Sequence, residues 1–326
     1  MDSILTLAGA NLVSPIVLSF VLGFSAALAR SDLSFPEAVA KGLSLYLLFA
    51  IGFKGGASVA AHGVDMNLIL ALLSGVALSL LLPFVAFGLL RFLTQVSAVD
   101  AAAVAAHYGS ISIVTFVAAT TLLAGRGISS EGYMVAMAAA MEAPAILSAL
   151  WLASRYGKET QRVGPELWRE IMLNGSIVLL LGAFAIGWVT GEQGMKEIEN
   201  FIVSPFKGVL CLFLLDMGLV AGRGLRGSSK VLSPGAVAFG FLMPLVGAAA
   251  GLSTSVALGL SLGGSVLLMV LGASASYIAA PAAMRVALPE ANPALSLTLA
   301  LGVTFPFNLT LGIPLYILIA SAIIGS

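Results

Sequence analysis

Apolar runs of about 20 residues follow one another from near Ser14 to the C-terminus, long enough to cross a hydrocarbon core of about 30 Å. The pattern predicts ten spans: 12–30, 37–56, 67–92, 98–124 and 132–154, then 171–190, 201–222, 232–252, 261–288 and 294–324. Gly, Pro and charge mark the connections, among them Arg30-Ser31-Asp32, Arg91 to Asp100, Gly125-Arg126-Gly127 and Gly222 to Ser229. Ala27-Leu28-Ala29 resembles a processing site. The first run is nevertheless read as a retained span, because Asp2 and no Lys or Arg precedes it and Ile16-Val17-Leu18 recurs as Ile177-Val178-Leu179.

The programme runs twice. In the fourth run, Gly109-Ser110-Ile111-Ser112 interrupts the apolar pattern; in the ninth, Ala273-Ser274-Ala275-Ser276-Tyr277 does the same. Ser110 and Ser274 are 164 positions apart (274 − 110), so the two interruptions take the same place in each half. Leu82-Pro83-Phe84-Val85 pairs with Met243-Pro244-Leu245-Val246, and Ala143-Pro144-Ala145 with Phe305-Pro306-Phe307. Five spans per half is an odd number, so the second half enters the membrane in the opposite sense. The expected architecture is an all-α polytopic membrane protein of about ten transmembrane helices. It comprises two inverted five-helix repeats, 1–160 and 161–326, with the polar Ser154–Glu170 stretch between them.

Composition narrows the class. With 60% hydrophobic and 9% charged residues, the chain cannot present an ordinary water-facing surface. Net charge is zero and no basic patch carries interleaved aromatics, which argues against nucleic acid as a partner and for the lipid bilayer. The single cysteine, Cys211, allows no intramolecular disulfide and no thiolate-rich metal site, and reads as a small apolar filler. Eleven Lys and Arg flank the odd-numbered loops (Arg30, Lys41, Arg91, Arg155, Lys158, Arg162, Arg169, Arg223, Arg226, Lys230, Arg285), against Lys54, Arg126, Lys196 and Lys207 on the other side. That bias predicts a cytoplasmic central connection and both termini outside.

A helix interrupted within a membrane frees backbone N–H and C=O groups that lipid cannot satisfy. Half-helix N-termini then suit a small anion, and freed carbonyls and hydroxyls suit a hard cation such as sodium. Gly109, Ser110, Ser112, Thr115, Ser274, Ser276 and Tyr277 are therefore the candidate substrate-binding residues. Ser112, Thr115, Glu142, Ser276, Thr304 and Asn308 are the candidate sodium ligands, with no other metal and no cofactor expected. The bland reading of the serines is close helix packing by small residues.

Glu142 is the clearest ionisable residue inside a predicted span and is expected to face the interior, where a carboxylate serves an ion pathway. Pro144 frees a carbonyl beside it. Asp216 is expected to pair with Arg223 or Arg226, and Lys54 to snorkel to the interface. His107 reads as hydrogen-bonded scaffold.

These residues resemble the sodium-dependent bicarbonate transporter family, best known from cyanobacteria. The matching elements run from about Phe35 to the C-terminus: Pro36-Glu37-Ala38, Lys54-Gly55-Gly56, Gly109 through Thr115, Met141-Glu142-Ala143-Pro144-Ala145, Pro281 to Arg285 and Ala291-Asn292-Pro293. The resemblance implies crossed helices 4 and 9, a gate domain of helices 1, 2, 6 and 7, and a mobile core of 3–5 and 8–10. It also implies a homotrimer in the bacterial inner membrane, elevator-like motion and sodium-coupled bicarbonate uptake. Ser112, Thr115, Ser274 and Ser276 would fall at the substrate and sodium sites. Two features depart from the family pattern: Tyr277 stands where the cyanobacterial proteins carry an aspartate, and the central connection is shorter. The first puts bicarbonate itself in question, and the second weakens the case for a PII-like cytoplasmic regulator.

Two other functions compete. One keeps the fold but couples another small carboxylate to protons through Glu142. The other is a non-transporting membrane sensor or intramembrane hydrolase. The chain has no His-Glu-x-x-His, no Gly-x-Ser-x-Gly, two histidines in all, and no loop long enough for a signalling domain.

Overall fold

The computed structural model of the chain describes residues 12–63, 66–156, 173, 175–228 and 232–325. Among these residues every regular element is helical. The first half contains α1 (Pro15–Leu28), α2 (Glu37–His62), α3 (Met66–Leu93), α4 (Ala98–Gly109), α5 (Ile113–Gly125), α6 (Met134–Ala140) and α7 (Pro144–Tyr156). The second contains α8 (Gly175–Ile202), α9 (Phe206–Ser228), α10 (Pro234–Leu258), α11 (Leu262–Ala273) and α12 (Ala279–Ala287). It ends in a long stretch, Pro293–Ile324. That stretch comprises α13 (Pro293–Leu297), a π-helical segment (Thr298–Thr304), α14 (Phe305–Phe307), a second π-helical segment (Asn308–Gly312) and α15 (Ile313–Ile324).

Eight helical stretches among the described residues are long and apolar enough to cross a membrane. The first and ninth predicted spans fall short of that length. α1 has 14 residues, roughly 21 Å of rise, and the ninth is divided into α11 and α12, of 12 and 9 residues. Large apolar side chains are exposed along α3 (Leu73, Leu81, Val85) and α8 (Val178, Leu181, Trp188), a surface that lipid rather than water satisfies.

The starts of four helices follow from serine N-caps. Ser14, Ser97, Ser233 and Ser261 each accept a bond from the backbone N–H three residues on, at 3.3, 3.0, 3.2 and 3.1 Å. Pro15 and Pro234 occupy the first helical position, where a missing N–H costs nothing. Some helices outrun their predicted spans. α8 continues to Ile202 across a kink at Gly191 (φ 59°), with Glu192 and Lys196 paired at 2.7 Å on its exposed side. A polar run ends a hydrophobic pattern without ending a helix. Most of the predicted central connection, 157–170, lies outside the described residues.

α1 lies along α9 and α2 along α8. A Cβ on Gly56 would run into the Phe184 carbonyl, and one on Gly187 into the Phe53 carbonyl, so glycine is what lets these two backbones touch. α3, α4 and α7 pack together, as do α10 and α11, and α3 meets α10. Two loops are pinned across the molecule. Asp100, in the first turn of α4, accepts the Asn292 N–H at 2.7 Å; Glu131, before α6, accepts the Ser261 N–H at 2.7 Å and hydroxyl at 3.0 Å.

Three basic side chains find partners that the sequence did not indicate. Among the described residues Asp216 forms no ion pair at contact distance, although the Arg223 charge still acts on its carboxylate; Arg223 donates to the Leu33 carbonyl and Arg226 to the Ala27 carbonyl, both at 2.7 Å. Lys54 lies over an aromatic ring. It is half-buried, with its ammonium 4.3 Å from the Phe206 ring centroid.

Candidate functional site

The interruptions expected from the sequence are present. α4 ends at Gly109 and α5 begins at Ile113, with Ser110 extended (φ −80°, ψ 163°); α11 ends at Ala273, with Ser274 extended (φ −88°, ψ 161°), and α12 begins at Ala279. Two helix C-termini and two helix N-termini therefore face these breaks.

The breaks are bonded to each other. The Ser112 N–H donates to Ser274 Oγ at 2.9 Å, and the Ser276 N–H donates to the His107 carbonyl at 2.7 Å. His107 Nδ1 lies 2.6 Å from the Ser276 carbonyl, so that nitrogen carries the proton and His107 holds Ser276 from both sides. Local bonds complete the frame. Ser112 Oγ caps α5 by accepting the Thr115 N–H at 3.2 Å and the Thr115 hydroxyl at 2.9 Å. Ser274 donates to the Leu271 carbonyl at 3.0 Å, and Ser276 Oγ accepts the Ala280 N–H at 3.2 Å. Ser110, Ser112, Thr115, Ser274 and Ser276 are all buried.

Glycine sets the spacing behind each break. A Cβ on Gly109 would meet the Pro83 ring, and a Cβ on Gly272 would meet the Gly247 carbonyl.

Some buried oxygens are left over. Among the described residues Ser110 Oγ, Tyr277 OH and Glu142 Oε2 have no hydrogen-bond partner. The Tyr277 hydroxyl faces Ser112 without completing a bond, while its ring packs edge-on against Phe305 at 5.6 Å. Buried polar atoms seldom stay unpaired in a finished interior.

Glu142 is buried, as expected, but the fifth span breaks beneath it: α6 stops at Ala140 and α7 begins at Pro144. Ser79 of α3 bridges that gap, donating to the Met141 carbonyl at 2.6 Å and accepting the Ala145 N–H at 3.1 Å. The hydrogen bonds that join the two breaks do not include Glu142. Asn308 reaches the second break directly, its Nδ2 donating to the Ala273 carbonyl at 2.8 Å while its Oδ1 accepts from Tyr316 at 2.8 Å. Thr304 sits one step away, donating to the Gly240 carbonyl at 2.7 Å and bonded to the Tyr108 hydroxyl at 2.6 Å.

Sequence reasoning passed over Ser79 and Tyr108. Neither carries a local signal, because each works through a contact with a span far away in the chain.

Comparison with curated proteins gives no match. A family model described as the Na+-dependent bicarbonate transporter superfamily matches residues 15–321, nearly the whole chain, with both breaks and Glu142 inside the match, and the protein belongs to that superfamily.

Proposed function

We propose that this transporter carries bicarbonate or a similar small anion into the cell together with sodium, by elevator-like movement of one group of helices against another. The observation that carries the reading is the pair of joined breaks with unpartnered buried oxygens beside them. The N-termini of α5 and α12 give positive partial charge for an anion; the carbonyl ends of α4 and α11, with the surrounding hydroxyls, give neutral oxygens for sodium. Here sodium is a co-substrate. Its ligands would be drawn from Ser112, Thr115, Ser276, Asn308, Thr304 and Glu142, and the anion would lie near Gly109, Ser110, Ser274 and Tyr277.

An inverted ten-helix repeat underlies this reading, and paired contacts support it. The caps Ser97 and Ser261 are 164 positions apart, like the serines of the breaks. Ser79 bonds to the Met141 carbonyl in the first half, and Thr304 bonds to the Gly240 carbonyl in the second, the same join with the donor exchanged. The Asp100–Asn292 and Glu131–Ser261 contacts are related in the same way. The pairing of α1 with α9 and α2 with α8 fits a gate formed by helices 1, 2, 6 and 7. A homotrimer in the bacterial inner membrane with both termini outside completes the proposal.

Uptake of labelled bicarbonate into proteoliposomes, with and without an inward sodium gradient, tests it. Sodium-stimulated accumulation is expected; uptake indifferent to sodium would remove the coupling. Glu142, a buried carboxylate with one free oxygen, favours a second reading in which protons drive another carboxylate. Uptake driven by a pH gradient alone would select that one.

A further inference from the structure

A cavity of about 390 Å³ opens between α1, α5, α9 and the last span, apart from the joined breaks. Arg126 and Lys207 line it, and among the described residues no carboxylate does. Arg126 Nη1 is buried without a hydrogen-bond partner, and the one ion pair among the described residues is Glu192–Lys196. Among the described residues both cations therefore stand without an acidic partner. α1 and α9 begin at this cavity, through Pro15 and Lys207, and their two N-terminal partial charges there stand against the single C-terminal partial charge of α5, which ends at Gly125. Lys54, over the Phe206 ring, places a further cation beside the start of α9.

We propose that this cavity is a second anion site, a vestibule in which Arg126 and Lys207 hold a small carboxylate-like anion before it reaches the breaks. A buried guanidinium N–H left unpaired is costly, and a planar oxyanion such as bicarbonate or acetate accepts from that fork through two oxygens. The cavity also points the right way. It extends along α5 from Arg126 to Ala118, about 12 Å of helix rise. Ala118 follows Thr115 by three residues, less than one turn, and Leu309, also in the lining, follows Asn308. The deep end thus adjoins two candidate site residues. The destination of the anion rests on the transport reading; its binding at Arg126 and Lys207 does not.

The chain supplies its own reporter, since Cys211 is the sole cysteine and lines the same cavity half-buried. The purified wild-type protein, in neutral detergent at low salt, is treated with the anionic sulfonatoethyl and the cationic trimethylammonioethyl methanethiosulfonates, each rate divided by that with a free small thiol. The anionic reagent should modify Cys211 about tenfold faster than the cationic one, and millimolar bicarbonate should slow it. The double variant Arg126→Gln/Lys207→Gln should lose both the preference and the protection, while Arg126→Lys/Lys207→Arg keeps them. No charge preference, a preference unchanged in the Gln variant, or no labelling by either reagent would overturn the proposal. Repeating the labelling in phosphatidylcholine and phosphatidylglycerol vesicles separates a free anion from a lipid headgroup. Bicarbonate protection in both is expected, whereas protection by phosphatidylglycerol alone assigns the cations to lipid and ends the vestibule. Charge-selective labelling without sodium-driven uptake would spare this site and remove the transport reading; the reverse result would do the opposite.

Discussion

The two breaks carry the same serines at the same spacing, yet they are held in different ways. The first spans Ser110 to Ser112: Ser112 caps α5 through both the backbone and the hydroxyl of Thr115, while its own N–H reaches Ser274 of the other break. The second runs from Ser274 to Ile278, and α12 begins at an Ile278 that offers no side-chain cap. Besides its local bonds from Ser274 to Leu271 and from Ala280 to Ser276, it is held from outside, by His107 on Ser276, Asn308 on the Ala273 carbonyl and Gly247 against Gly272. Sequence symmetry therefore does not carry over into energetic symmetry. The first break leans more on its own helix cap and the second more on its neighbours, which makes the second the more sensitive to packing changes at a distance.

Adding a methyl group behind each break tests this most severely. A Cβ on Gly272 meets the Gly247 backbone, which cannot step aside, whereas a Cβ on Gly109 meets the Pro83 ring and the Ala145 methyl. Both substitutions overpack, at about 1–3 kcal/mol or more, and the cost is greater where the obstacle is main chain. Gly272→Ala should therefore lower the apparent melting temperature further than Gly109→Ala, and Gly272→Val should yield little folded protein. Equal losses would mean that the second break is no more rigidly backed than the first.

Charge is the next inequality. Glu142 lies in the first half, and the corresponding stretch of the second offers Thr304 and Asn308. Glu142→Gln keeps the volume and removes the charge, so expression should stay near wild type while sodium-stimulated uptake falls at least tenfold, an effect of about 1.4 kcal/mol or more. Normal sodium dependence in that variant would deny the carboxylate a coupling role. Removing the caps gives a smaller contrast. Ser112→Ala loses two accepted bonds and should destabilise by about 1–2 kcal/mol; Ser276→Ala loses one and should cost about 1 kcal/mol, since His107 still holds its backbone. Thermal unfolding of the two variants side by side decides it, and the reverse order would contradict the greater reliance of the first break on its own helix cap.

What the sequence revealed follows the same division. Both breaks were legible because Gly and Ser in the middle of an apolar run are a local signal, as were the serine caps. The interruption at Met141–Ala143 was not foreseen, although Pro144 stood beside it, because the surrounding apolar pattern runs on unbroken. The π-helical segments around Pro306 were equally hidden: they are accompanied by side-chain bonds from Thr304 to Gly240 and from Asn308 to Ala273, contacts that span 64 and 35 residues. Charge proximity misled at Asp216 for a related reason. Arg223 and Arg226 are close in sequence, but carbonyls 190 and 199 residues away accept their protons. Local chemistry gave the candidate site its residues, and distant contacts gave it its frame.

Tyr277 offers the finest test, because it is the one aromatic side chain within either break and has no counterpart in the other. Its ring packs on Phe305 and its hydroxyl has no partner, so Tyr277→Phe keeps the packing and abandons no existing bond. Stability should move by less than about 0.5 kcal/mol. If that hydroxyl donates to the transported anion, the variant forfeits one neutral hydrogen bond, about 0.5–1.5 kcal/mol, and KM for the anion should rise by about threefold with the sodium response unchanged. Tyr277→Asp alters the same position in a different sense. It removes the ring from Phe305, which should lower stability, and brings a carboxylate beside the carbonyl ends where sodium is proposed to bind, so the protein should respond to lower sodium concentrations. Measuring KM for anion and for sodium in both variants separates the two roles. A raised anion KM with Phe and a lowered sodium KM with Asp would identify Tyr277 as a residue that sets the balance between anion and cation; wild-type constants in both would leave it a packing residue, and the second break would then recognise its ligands through serine and backbone alone.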